Sequence, residues 1–127
     1  MKIMKTIIEK IDKNQKNTDI IREAGRILKE GGLVAFPTET VYGLGADALN
    51  VDAAKKIYAA KGRPSDNPLI IHITNMKALD KIVSEVPEKA VKVAEKYWPG
   101  PLTMIFNKSD IVPYGTTGGL DTVAVRM

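Results

Sequence analysis

Polar side chains that could bind a ligand cluster in two loops of this 127-residue chain. The first loop, Pro37–Gly45, reads Pro-Thr-Glu-Thr-Val-Tyr-Gly-Leu-Gly and directly follows the apolar run Leu33–Phe36. That run predicts a buried strand, which Pro37 ends because proline donates no hydrogen bond to a neighbouring strand. Ligands of open α/β sheets lie beyond the carboxyl ends of strands, so the loop stands where a site would be. Its Thr and Glu side chains could equally satisfy local backbone groups.

The glycines of this loop also match the loose dinucleotide-binding pattern G-x-G-x-x-A, over Gly43–Ala48. In that pattern the first glycine follows a strand at once and the last position lies inside the next helix. Here six residues separate Phe36 from Gly43, and the next helix is predicted to begin near Asn50. The sequence therefore argues against a nicotinamide or flavin site. Gly43 and Gly45 instead allow the backbone to turn or to approach a ligand closely.

The second loop, Lys61–Pro68, reads Lys-Gly-Arg-Pro-Ser-Asp-Asn-Pro and follows a predicted helix. Its two cations and the polar groups between them could surround phosphates, because arginine offers a planar fork of donors and lysine a point charge. The alternative is that Lys61 and Arg63 stabilise the carboxyl end of the preceding helix, where cations are favoured by the helix dipole. The spacing alone leaves both interpretations open.

Two predicted strands carry further candidate side chains. Leu69–Ile73 is a continuous apolar run interrupted by His72, which is typical of a strand covered on both faces. His72 is either a core histidine with its hydrogen bonds satisfied or a ligand-binding group near the carboxyl end of that strand. In the strand Thr122–Arg126, alternation places Thr122 and Arg126 on one face, about 13 Å apart. They could contact two parts of a ligand, or Arg126 could simply be solvated.

Hydrophobic periodicity predicts the elements that position these residues. Four helices are expected: from a cap at Asn17 or Thr18 to about Glu30, from Val51 to about Ala60, from Met76 to Ser84, and from Pro87 to Tyr97. Further strands are expected at Ile3–Lys10, Leu102–Phe106 and Thr122–Arg126, with a flexible segment, Gly115–Gly119, before the last. This order predicts an α/β fold, a twisted open mixed sheet flanked by helices, within one domain over residues 1–127.

The composition is that of an ordinary soluble domain, with 44% hydrophobic and 27% charged residues. The absence of cysteine excludes disulfides and cysteine-based nucleophile or metal sites, and a single histidine argues against structural zinc. The net charge of +4 suits anionic ligands such as nucleotides or RNA, although it is a weak pointer. No signal peptide and no apolar run long enough to span a membrane is seen, so we expect a cytoplasmic protein.

Taken together, four motifs resemble those of the threonylcarbamoyl-AMP synthase family, also called the YrdC domain family. They are the two loops, the break Trp-Pro-Gly-Pro-Leu-Thr at 98–103, and the strand Thr-Val-Ala-Val-Arg. The resemblance runs from about Asp19 to Met127. It implies a nucleotidyltransferase that condenses L-threonine, bicarbonate and ATP into threonylcarbamoyl-adenylate and pyrophosphate, for tRNA modification. ATP would enter with Mg2+ on its phosphates, and no protein-bound metal is implied.

The resemblance also implies roles for individual residues. Three residues would hold L-threonine, with Arg126 on its carboxylate: Thr40, His72 and Arg126. Three would hold ATP: Arg63, Asn67 and Thr122. Lys61 and Arg63 would form the catalytic cationic wall around the phosphates, and Thr38 and Tyr42 are weaker candidates for lining the threonine and bicarbonate region.

The sequence departs from the family pattern at its end. Family domains continue through a Ser-x-Asn motif and later basic residues, so we expect the YrdC-like fold to be incomplete at the C-terminus and weak or inactive alone. We also expect the last strand to lack sheet neighbours, leaving an open edge through which the chain could self-associate. The alternative function is a double-stranded RNA or tRNA-binding module. Dispersed cations and few aromatic residues argue against it, because no stacking platform is visible.

Overall fold

The structure, a computed structural model, describes residues 5–127. The strand predicted at Ile3–Lys10 falls partly outside that range, and the prediction is wrong for residues 5–10, which form no strand. Ile7 and Ile8 are 53% and 90% exposed. Residues such as isoleucine and threonine stabilise a strand mainly when they pack against a neighbouring strand. This segment has no strand partner among the described residues.

The first helix, α1, spans Thr18–Lys29, close to its predicted bounds. Asn17 precedes it as expected, but its side chain does not cap the helix. It binds the backbone of Asp12 instead, donating to the carbonyl at 2.7 Å and accepting from the amide at 3.1 Å. The polar turn before α1 is therefore closed by Asn17, and the helix begins without a side-chain cap.

A two-stranded antiparallel sheet follows, formed by β1 (Val34–Phe36) and β2 (Gly43–Gly45). The sequence predicted β1 but not β2, which lies inside the expected loop. Neither glycine of β2 makes a turn. A methyl group at Gly43 or Gly45 would lie 2.9 Å from the Phe36 ring, so the group that approaches these glycines is the aromatic ring across the strand pair. β1 is only partly covered, because Ala35 is exposed.

The second sheet has three strands in the order β3, β5, β4, with bounds Ile70–His72, Thr122–Arg126 and Thr103–Asn107. β3 and β5 are parallel, and β4 and β5 are antiparallel, which confirms the predicted mixed sheet. The expectation that the last strand lacks neighbours is wrong, since β5 pairs on both sides. In the described part of the chain, the open sides of this sheet belong to β3 and β4.

Four further helices complete the fold: α2 (Val51–Lys61), α3 (Met76–Ile82), α4 (Glu88–Tyr97) and α5 (Tyr114–Thr117). Asn50 caps α2 by accepting hydrogen bonds from two backbone amides, as predicted. The prediction of a flexible Gly115–Gly119 segment is wrong. It contains most of α5, where the hydroxyls of Thr116 and Thr117 are buried and donate to backbone carbonyls.

The core lies on one face of the three-stranded sheet, against α3 and α4. Its buried residues include Ile71, Val123 and Val125 from the sheet, Leu79 and Ala94 from the helices, and Trp98, which directly follows α4. On the opposite face, Ile70 and Ile105 are 45% and 71% exposed. The prediction that the strand of His72 is covered on both faces is therefore wrong for the described residues, and the uncovered face is available to a ligand.

Candidate functional site

Three polar side chains lie side by side at one end of the uncovered face, one from each strand. Arg126 of β5 is the register partner of His72 on β3 and of Thr103 on β4. Its Nε atom donates a hydrogen bond of 2.9 Å to the Thr103 hydroxyl. The terminal guanidinium nitrogens make no hydrogen bond or ion pair with any residue in the range 5–127. An oriented cation with two unused donor groups is suited to a carboxylate.

The backbone around Arg126 is held by hydrogen bonds on both sides. Ile73 donates to the Arg126 carbonyl at 3.0 Å, and Gly100 donates to the Met127 carbonyl at 2.9 Å. The indole of Trp98 donates to the Leu102 carbonyl at 2.8 Å. The Trp-Pro-Gly-Pro break thus connects the end of α4 to the end of β5 and leads directly into the strand that carries the partner of Arg126.

Thr103 is a candidate site residue that sequence reasoning missed, and it is identified by its hydrogen bond with Arg126. Its position at the first residue of a strand after the Trp-Pro-Gly-Pro break was visible. Its place opposite Arg126 depends on the antiparallel register of β4 with β5. A single alternating pattern does not specify that register, because either strand could slide by two residues and keep its buried face.

The surroundings of His72 favour its neutral form over the charged one. Its pKa is lowered from the ordinary value, first because burial disfavours the charged imidazolium and second because Arg126 adds a positive charge nearby. A neutral imidazole offers one donor and one acceptor nitrogen. Together, His72 and Arg126 present a polar neutral group beside a permanent cation.

The structure does not join Thr40 to this row. Thr40 lies in the exposed loop between β1 and β2, and its hydrogen bonds to described residues stay within that loop. The hydroxyl of Thr38 accepts a hydrogen bond from the Thr40 amide at 3.2 Å and donates to the Val41 carbonyl. Thr38 therefore orders the loop itself, which matches the local interpretation of that side chain. The ring of Tyr42, at 76% exposed, is largely in solvent.

The cationic loop Lys61–Pro68 starts on the last residue of α2. Gly62 adopts the left-handed conformation with φ 64°, and the Arg63 amide donates to the Tyr58 carbonyl at 3.1 Å. Lys61 lies in the last turn of α2, where its charge can stabilise the carboxyl end of the helix. Arg63 lies beyond the helix. Within residues 5–127, neither side chain forms an ion pair or a hydrogen bond. Both cations can therefore meet an anionic ligand.

The loop and Thr122 share one end of the sheet. The loop leads into β3, Thr122 opens β5, and the two strands are parallel, so both lie at the amino ends of the strand pair. His72 and Arg126 lie at the carboxyl ends. Between the two polar ends of the uncovered face, Ala124 is flanked by Ile70 and Ile105. The face thus has two separate polar regions joined by an apolar strip.

Two properties of the described residues bear on the class of protein. Across residues 5–127, no three side chains of the His, Cys, Asp or Glu type come close enough together to hold a metal ion. No helix in the same range is both long and apolar enough to cross a membrane.

Comparison with known proteins identifies the same family as the sequence motifs. The Sua5/YciO/YrdC family model, described as telomere recombination, matches residues 26–127. The threonylcarbamoyl-AMP synthase of Pyrococcus abyssi is 60% identical over 84% of this chain, which corresponds to 32% of that protein. The threonylcarbamoyl-AMP synthase of Bacillus subtilis is 49% identical over 100% of this chain and 37% of its own length. The chain thus spans about a third of the length of these two relatives.

A solved structure agrees with the fold. The crystal structure of P. abyssi Sua5 complexed with L-threonine superposes with a TM-score of 0.81 at 60% identity, over 84% of this chain and 32% of that one. The resemblance inferred from the two loops, the Trp-Pro-Gly-Pro break and the last strand is confirmed at the level of family and fold.

Proposed function

The chain belongs to the Sua5/YciO/YrdC family, and we propose that it forms the threonine-binding part and one wall of the ATP-binding part of a threonylcarbamoyl-AMP synthase. The reaction would condense L-threonine, bicarbonate and ATP into threonylcarbamoyl-AMP and pyrophosphate, which is a nucleotidyl transfer. The product would serve the modification of tRNA. Two relatives that carry this enzyme name, at 60% and 49% identity, support the proposal.

The observation that carries the proposal is the row His72, Arg126 and Thr103 on the uncovered face. In this proposal Arg126 binds the carboxylate of L-threonine with its two terminal nitrogens, while Thr103 holds the guanidinium in place. The neutral imidazole of His72 accepts or donates one hydrogen bond to a polar group of the amino acid. Thr40 would have to approach this row from the loop between β1 and β2, because its hydrogen bonds to described residues stay within that loop.

The second polar region would bind the nucleotide. Arg63 and Lys61 form no ion pair with residues 5–127, so their positive charges are suited to the phosphates, and Asn67 and Thr122 add uncharged donors and acceptors at the same end of the sheet. ATP would arrive with Mg2+ as its own counterion, as substrate rather than as a resident metal. The separation of about 13 Å between Thr122 and Arg126 would leave room for the amino acid and the nucleotide on one face without overlap.

The chemistry asks the protein for position and charge rather than for a nucleophile. The threonine amine adds to the carbon of bicarbonate with loss of water, which gives a carbamate. A carbamate oxygen then attacks the α-phosphorus of ATP, the bond to the β-phosphate oxygen breaks, and pyrophosphate leaves with Mg2+. Cations beside the phosphates stabilise the charge that develops in this step. Holding the two reactants in line supplies the rest.

The proposal is tested by calorimetry and by pyrophosphate release. L-Threonine should bind the chain more tightly than L-valine, which has the same shape without the hydroxyl. In any longer protein that contains the chain, pyrophosphate should appear only when ATP, L-threonine and bicarbonate are all present. Binding of double-stranded RNA or tRNA that weakens steeply with salt, together with no affinity for threonine or ATP, would instead favour the RNA-binding module.

A further inference from the structure

We propose that Gly118 is a positioning residue for ATP: its bare backbone lets the loop Lys61–Pro68 seat against the segment that leads into β5. The inference rests on the proposed role of Arg63, Asn67 and Thr122 in nucleotide binding. Gly118 would act on ATP indirectly, through the position of the loop. The short helix α5 would then help to position the loop, in addition to its packing in the fold.

The contact between Gly118 and the loop is made by backbone atoms on both sides. Gly118 ends α5 in the left-handed conformation, with φ 65°. A methyl group there would lie 2.5 Å from the carbonyl oxygen of Asp66 and 3.1 Å from the backbone nitrogen of Pro68. Backbone atoms cannot rotate out of the way as a flexible side chain can. Any side chain at position 118 must therefore displace the loop or the end of α5.

The loop is held from two directions while its candidate ligand groups stay unbound. The phenol of Tyr58, on α2, donates to the Asn67 carbonyl, and the Leu69 amide donates to the Thr116 carbonyl at 2.9 Å. The side chains of Arg63 and Asn67 are exposed and bind no described residue. A fixed backbone with free polar side chains is the arrangement expected of a preorganised ligand-binding loop.

The same segment also fixes the start of β5. The Gly119 amide donates to the Tyr114 carbonyl at 3.0 Å, and the Tyr114 hydroxyl donates to the Asp121 carboxylate at 2.7 Å. Asp121 is followed directly by Thr122. The segment from α5 to Asp121 therefore sets the position of the loop relative to Thr122, at the end of the sheet remote from His72 and Arg126. A displacement there should disturb ATP binding and leave threonine binding alone.

The chain offers a matched control in the adjacent residue. Gly119 also has a left-handed backbone, with φ 87°, but a methyl group there would meet no atom of residues 5–127 within 4 Å. Gly118→Ala and Gly119→Ala thus share the backbone strain, and only the first collides with the loop. We expect Gly118→Ala to raise the Kd for ATP about tenfold while the Kd for L-threonine stays within about twofold. Gly119→Ala should leave both constants within about twofold, although both variants lower the melting temperature.

Equal ATP affinity in the two alanine variants would overturn this inference alone. Absence of ATP binding even in a longer wild-type protein that contains the chain would overturn the proposed function and this inference with it. If Gly118→Ala does not fold, Tyr58→Phe decides, because it removes the anchor of the loop on α2 and leaves α5 unchanged. It should raise the Kd for ATP about threefold to fivefold, the effect of one hydrogen bond, with threonine binding unaffected. An unchanged Kd for ATP in Tyr58→Phe would then overturn the inference.

Discussion

The Nε atom of Arg126 donates a 2.9 Å hydrogen bond to the hydroxyl of Thr103 on the neighbouring antiparallel strand. Arginine carries five N–H donors in a rigid plane, so one bond at Nε restricts the plane of the whole group. The terminal nitrogens are then presented as a pair rather than as a mobile charge. A short hydroxyl side chain thereby determines how a long cationic one can meet a carboxylate.

Removal of either partner should weaken threonine binding by different amounts. Arg126→Ala should cost about 1.5–3 kcal/mol, because a charge-assisted hydrogen-bonding partner of the carboxylate is lost. Thr103→Val keeps the shape but frees the guanidinium, and should raise the Kd for L-threonine about threefold to tenfold. Calorimetry measures both. Arg22→Ala and Thr6→Val, at exposed positions outside the strands, are the controls. Equal affinity in wild type and Arg126→Ala would reject the carboxylate assignment.

His72 should titrate below the ordinary histidine pKa of about 6.5. Because His72 is the single histidine of the chain, its imidazole signals in an NMR titration report this pKa directly. Arg126→Gln should raise the pKa by removing the nearby positive charge, but only part of the way, since burial is the larger cause. A wild-type pKa at or above the value measured in urea would contradict the arrangement.

The same shift makes stability depend on pH in a defined direction. Below about pH 6.5 the unfolded chain protonates its histidine while the folded chain resists protonation. The unfolded state then binds more protons, so the free energy of unfolding falls as the pH drops through the window between about 6.5 and the folded pKa. His72→Gln should remove this component of the pH dependence in urea denaturation. An unaltered slope in the variant would mean that other groups cause it.

The cations of the loop Lys61–Pro68 should act on ATP rather than on threonine. Arg63→Ala should raise the Kd for ATP about tenfold or more, because one charge-assisted partner is worth about 1.5–3 kcal/mol. Lys61→Ala should chiefly lower the rate of pyrophosphate release in a longer protein that contains the chain. Lys55→Ala, an exposed lysine on α2, is the matched control for charge. Unchanged ATP dependence in Arg63→Ala would make the loop structural.

Two glycines should respond in opposite ways to alanine. Gly43→Ala should destabilise the chain by about 1–3 kcal/mol, because the methyl group collides with the Phe36 ring. Gly25 is exposed within α1, and a methyl group added there would have no described atom within 4 Å beyond the backbone of its own helix. Gly25→Ala should therefore stabilise the chain by about 0.5–1 kcal/mol through its helix propensity. Chemical denaturation measures both, and a neutral Gly43→Ala would show that Phe36 moves aside easily.

Sequence alone could place His72 and Arg126 on strands and put Thr122 and Arg126 on one face, because alternation within a strand is a local property. It could not make His72 and Arg126 neighbours, since that depends on the parallel pairing of β3 with β5, two strands far apart in the chain. The role of Thr103 was hidden for the same reason. Local patterns specify faces, and only long-range pairing specifies neighbours.

Two other predictions were wrong because they relied on residue types and not on tertiary contacts. Residues 5–10 favour strands by type but find no partner strand in the described chain. Gly115–Gly119 looks flexible by type, yet the buried side chains of Thr116 and Thr117 donate hydrogen bonds to the backbone carbonyls of Ala48 and Leu120 and thereby fix α5. In both segments tertiary contacts, or their absence, decided the outcome over residue propensity.

The length of β5 sets a spacing that can change only in coarse steps. Thr122 and Arg126 occupy the two ends of one five-residue strand, and every second residue of a strand faces the same side. Insertion of a single residue between them would turn one of the two side chains into the core, on the side of Val123 and Val125. Only an even change keeps both on the open face, and it alters their separation by about 6.6 Å. If two ligands are matched to the present separation of these side chains, no slightly longer or shorter strand could bind both. The next possible separation differs by about 6.6 Å, which exceeds the size of a functional group.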